Sequence, residues 1–83
     1  MFSFVFEVRP LSDGWSVALR DEPGVLKFAT GGQAERRARA LAARQAVRGH
    51  RTEIWLYDLT GNLVGRWLDE RFVYAEPALD NAA

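Results

Sequence analysis

The chain has 83 residues, enough for one domain, with 11 Lys+Arg balanced against 11 Asp+Glu. Zero net charge and a sequence pI near 6.6 set it apart from polyanion binders driven by bulk charge, whose domains have pI above about 9. The absence of Cys and a single His, His50, exclude a disulfide scaffold, a thiolate zinc centre and a cysteine nucleophile.

The start, Met1-Phe2-Ser3, has neither the basic residues nor the apolar core of a secretion signal. No later apolar run approaches bilayer-spanning length, so the expected compartment is the cytoplasm, with no membrane partner. Residues 2–9 alternate: Phe2, Phe4, Phe6 and Val8 fall on one side of a strand, and Ser3, Val5, Glu7 and Arg9 on the other. Pro10 and then Ser12-Asp13-Gly14 supply turn chemistry. A second strand follows, with Trp15, Val17 and Leu19 alternating against Ser16, Ala18 and Arg20. Glu22-Pro23-Gly24 suits a tight turn into a short third strand over 25–29, which sets Leu26 and Phe28 on one face.

Thr30-Gly31-Gly32-Gln33 matches the S/T-x-x-E/Q capping box, and strong helix formers run from there to Arg48. Gly49 sits where a left-handed cap would end the helix. At 100° per residue, Ala34, Ala38, Leu41 and Ala42 share an arc of about 100°, one buried face. Most of that face is alanine, so the helix can approach a sheet closely while covering little area. From Thr52 to Tyr57 the β pattern resumes, with Ile54 and Leu56 opposite Trp55 and Tyr57. Asp58-Leu59-Thr60-Gly61 fits a hairpin connection closed by a left-handed glycine, and residues 63–68 return, with β character that can extend to Tyr74. The expected fold is α+β, β-β-β-α-β-β, one helix packed on one face of an antiparallel sheet. A single domain over 1–74 would be followed by a C-terminal tail, 75–83, carrying Pro77 and small or polar residues.

In this order, Phe6, Val8 and Pro10, then Asp13, Gly14, Trp15 and Val17, form a recognisable series. Ala34, Ala38, Arg39, Leu41 and Ala42 follow on the capped helix, and Gly61 with Leu63 on the hairpin. The arrangement resembles the bacterial family called domain of unknown function 2188 over roughly residues 4–72. It departs from that family at Thr60-Gly61-Asn62, where Asp-Gly and a basic residue are more usual, and in its aromatic first strand. The resemblance implies this fold and a bacterial source, and it brings no catalytic residues.

The acids Asp13, Asp21, Glu22, Asp58, Asp69 and Glu70 lie at turns and strand ends. Adjacent acids on a strand point to opposite faces, so Asp21-Glu22 and Asp69-Glu70 are not ready-made dyads. The chain is therefore read as a non-enzyme, with no catalytic, metal or cofactor residues. Arg37, Arg44 and Arg48 fall within about 40° on the helical wheel. They are either a solvated flank, the reading preferred, or possible phosphate contacts. The aromatics give the sharper signal. One helix covers one sheet face, which leaves Trp55, Tyr57 and, on either strand parity, Trp67 or its neighbours as an interaction surface.

Three covers for that second face suggest themselves. It could pair with a second copy, face to face or edge to edge; it could stack unpaired bases; or residues 72–74 could fold back over it. The leading expectation is a homo-oligomerising protein-interaction module, a homodimer, with another protein as a further possible partner. The alternative is a single-stranded nucleic-acid-binding domain using the sheet aromatics and the helix arginine stripe.

Overall fold

A computed structural model describes residues 3–75. The expected Phe2 end of the first strand and residues 76–83 of the expected tail lie outside the described residues. The elements are β1 (Ser3–Leu11), β2 (Gly14–Leu19), β3 (Leu26–Phe28), α1 (Gly31–Val47), β4 (Arg51–Tyr57), β5 (Leu63–Leu68) and β6 (Arg71–Tyr74). All six strands join one sheet in the order β3-β2-β1-β4-β5-β6.

Two features depart from the expected β-β-β-α-β-β antiparallel sheet. A sixth strand is present, and the central pair, β1 with β4, is parallel, with Phe6 opposite Ile54 and Val8 opposite Leu56. The other four pairings are antiparallel. The parallel pair follows from chain parity. Two hairpins leave β3 running with β1; α1 brings the chain back, and β4 must run with β1 again. By inserting beside β1 rather than at the β3 edge, β4 makes β1 a central strand, where Phe6 and Val8 are buried. Residues 72–74, one candidate for folding over the second face, instead extend the sheet as β6, and Ala75 N–H donates to the Val64 carbonyl.

The helix ends follow the local chemistry. Gln33 N–H donates to Thr30 Oγ1 at 3.1 Å, and Thr30 N–H to Gln33 Oε1 at 3.3 Å, completing the capping box. At the other end Gly49 N–H donates to the Ala46 carbonyl and His50 N–H to that of Gln45, the two bonds of a Schellman cap. Ala34, Ala38 and Ala42 form the buried row of the helix, and Leu41 packs beside them, partly buried. They meet Phe6, Val8, Val17 and Ile54 in one core, with Phe4, Trp15, Phe28 and Leu56 around it. The core layer thus holds most of the residues that alternation assigned to it; Leu26, on the short edge strand β3, is the exception at 45% exposed, because only the margin of the helix reaches that strand.

The β4–β5 hairpin closes with Gly61 at φ 86°, as expected, and Asp58 N–H donates to the Asn62 carbonyl. A bulge between Leu56 and Tyr57 leaves Val64 as the extra residue on β5. Gly65, opposite Leu56, is a close-approach position: a Cβ there would stand 2.5 Å from Phe72 Cζ and 2.8 Å from the Val73 carbonyl oxygen. The backbone of the helix lies over β1, β2 and β4, with β3 at its margin, and stops short of β5 and β6, so that only side chains of α1 reach β5, at Trp67. Among the described residues no helix is long and apolar enough to cross a membrane.

Candidate functional site

The helix-free face is built by alternation. With Phe6, Val8, Ile54 and Leu56 under the helix, β1 turns Val5, Glu7 and Arg9 the other way, and β4 turns Glu53, Trp55 and Tyr57 with them. The register adds Ser16 and Ala18 from β2, Lys27 from β3, Arg66 and Leu68 from β5, and Val73 from β6. Trp55 and Tyr57 are where the sequence expects them.

Trp67 is not. It pairs with Ile54 and therefore lies on the helix side, so it cannot share a surface with Trp55 and Tyr57. Its indole Nε1–H donates to Glu35 Oε2 at 2.9 Å, and the Arg39 guanidinium lies 4.2 Å above its ring. Its parity depended on the register of the β4–β5 hairpin, which the bulge shifts by one residue.

The rings of the open face have a cover, and it is made of arginine. The Arg9 guanidinium lies 3.8 Å from the Tyr57 ring centroid, and that of Arg20 lies 4.5 Å from Trp55, with Arg66 at 6.0 Å on the same indole. Carboxylates hold the arrangement together. Glu53 Oε1 accepts from Trp55 Nε1 at 2.8 Å and pairs with Arg66 at 3.8 Å, while Glu7 pairs with Arg9 at 3.5 Å. Trp55 and Tyr57 are consequently only partly exposed. Each cation–π contact at such a site is worth about 0.5–1 kcal/mol, and half-exposed ion pairs contribute about as little. The cover is weak enough to be exchanged.

Charge is sorted by layer. Arg9, Arg20, Lys27, Arg51, Arg66 and Arg71 lie on or beside the open face by contact or register, against Glu7 and Glu53. Six of the acids, Asp13, Asp21, Glu22, Asp58, Asp69 and Glu70, occupy the turns between strands. A net charge of zero for the chain therefore coexists with a cationic, aromatic face. Sequence reading missed Arg9, Arg20 and Arg66 as site residues. The signal for Arg9 was available as strand parity; for Arg66 it was not, because its parity rests on the same shifted hairpin register as that of Trp67, nor for Arg20, which follows the last residue of β2 and reaches back over Trp55.

Arg37, Arg44 and Arg48 are exposed on α1, and among the described residues the ion pairs seen are Arg9–Glu7 and Arg66–Glu53, neither of which uses them. The whole sheet separates them from Trp55 and Tyr57. One ligand stacked on those rings cannot also lie along the helix stripe. His50, half-buried after the helix cap, packs its ring against Phe4 at 5.3 Å. Among the described residues no three His, Asp or Glu side chains gather where they could hold a metal ion. Comparison with known proteins finds no matching family model, no matching curated protein and no matching solved structure.

Proposed function

We propose that this protein is a binding module whose open sheet face takes single-stranded nucleic acid. One observation carries the reading: Trp55 and Tyr57 lie on one face about 7 Å apart by strand geometry, each under an exchangeable arginine. That is a platform for two successive unpaired bases, with guanidinium groups free to move from ring to phosphate. Glu53 would hold the indole plane through Nε1 while Arg9, Arg20 and Arg66 follow the backbone.

Charge favours this ligand over a second copy of the same face. An isologous dimer sets a patch against itself, and here that would oppose two surfaces rich in arginine and poor in carboxylate. A flat polyanion with π faces meets the same surface without that conflict.

The test is titration of labelled single-stranded DNA and RNA oligomers at low salt, read by anisotropy and tryptophan fluorescence. Trp55→Ala should weaken binding about tenfold, the usual scale for loss of one stacked base. For an oligomer too short to span two faces, replacing Arg37, Arg44 and Arg48 together by Ala should leave affinity nearly unchanged, because they lie on the other layer. No binding at low salt would overturn the reading. So would equal loss from the helix triple, or tighter, Trp55-dependent binding of an acidic polypeptide.

A further inference from the structure

On the helix side, one helix serves a sheet of six strands. β5 and β6 project past it as a wing about 10 Å wide at normal strand spacing. Trp67, Phe72 and Tyr74 stand in a row on that wing, with ring centroids 5.3 Å and 4.9 Å apart, and Tyr74 is 75% exposed. A groove of about 860 Å³ separates the wing from α1, floored by Thr52 and Ile54.

We infer that the wing is covered by the helix of a second copy of this chain, in a sheet–helix–helix–sheet dimer. The strip that the α1 backbone leaves uncovered is about one helix diameter wide. A two-fold axis parallel to the strands, lying between the layers, places each protomer's α1 over its partner's β5–β6 wing. The helix then meets the wing with the side opposite its buried alanines, which carries Arg36 in its first half and then Ala40, Ala43 and the 88% exposed Val47. The alanines there leave room for Phe72 and Tyr74, the rings of the row beyond Trp67, which Arg39 of its own chain already roofs.

Charge fits the same placement. Asp69 and Glu70, in the β5–β6 turn, lie at the C-terminal end of α1, where Asp69 Oδ1 accepts from Thr52 N–H and both acids share the groove rim with Gly49. An axis parallel to the helix preserves level, so Arg44 and Arg48 of one copy arrive beside the acidic turn of the other. The arginine stripe of the helix thereby gains anionic partners, twice over by symmetry. This inference does not rest on nucleic-acid binding. Its readout is mass alone, in the absence of any oligomer.

Sedimentation from micromolar to millimolar concentration should show a species of twice the 9.4 kDa chain mass. Ala43→Arg, at an exposed helix position, should give a monomer with unchanged circular dichroism and a melting temperature that no longer rises with protein concentration. Arg48→Glu and Glu70→Arg should each weaken association about tenfold, and the two combined should restore it, a result that lost folding cannot mimic. Trp55→Lys should leave the dimer intact. A wild-type monomer across the range would overturn the inference. A dimer dissolved by Trp55→Lys but not by Ala43→Arg would overturn it too, because copies would then be meeting through the open face.

Discussion

Asp58 shows how much a single turn residue organises. Its Oδ1 accepts from Thr60 N–H at 2.9 Å, Thr60 Oγ1–H at 2.7 Å and Asn62 N–H at 3.0 Å. Those bonds, the Thr60 hydroxyl first and then the Asn62 amide, hold its carboxyl below the usual carboxylate range. The sign follows from linkage: a pKa depressed by folding adds stability that is complete above the unfolded value, near 4, and is lost as pH falls through the folded one. Melting of wild type and Asp58→Asn should therefore differ above about pH 4 and converge on acidification. A difference that persists unchanged at low pH would show that turn geometry, and not the charge, matters. The same residue-scale logic separates Trp55 from Trp67. Both indoles donate to a glutamate and lie under an arginine, yet one faces outward and the other stands beside the helix.

At the scale of elements, α1 is specified from both ends and by its alanine row. Thr30→Ala removes the hydroxyl that accepts from Gln33 N–H, at a cost of about 0.5–2 kcal/mol, measurable by urea unfolding. An unchanged midpoint would mean that sheet packing alone fixes where the helix begins. Local chemistry of this kind was legible in the sequence: the capping box, the glycine after Arg48 and the left-handed Gly61 all occur where their residue types require. The strand β6 was less legible. Arg71–Tyr74 is only four residues long, and without the register of β5 nothing says whether such a segment crosses a face or adds to an edge.

For the whole molecule, the distribution of charge outweighs its sum. Balanced totals argue against a polyanion binder, but they describe the chain and not its faces. If Arg9, Arg20 and Arg66 each neutralise one phosphate, the logarithm of affinity should fall with that of salt at a slope of about −2. Replacing any one of them by Ala should make the slope shallower by about 0.7, measured by anisotropy across a salt series. A slope that ignores those arginines would place the polyanion elsewhere. Pairing through the β5–β6 wings would leave two open faces pointing outward on opposite sides of one dimer. Two linked sites of that kind bind a long single strand more tightly than either does alone.

The order of strands and helix up to β5, the helix caps, the hairpin turn and most of the core, though not the exposure of Leu26, were determined by sequence alone, because each depends on residues within a few positions of one another. Alternation also assigned Trp55 and Tyr57 to the face away from the helix. Tertiary structure alone decided that β4 lies parallel beside β1, that Trp67 turns toward the helix, and that arginines from three different strand regions roof the open rings. Those outcomes depend on register between segments far apart in the chain, and a shift of one residue reverses every side chain of a strand.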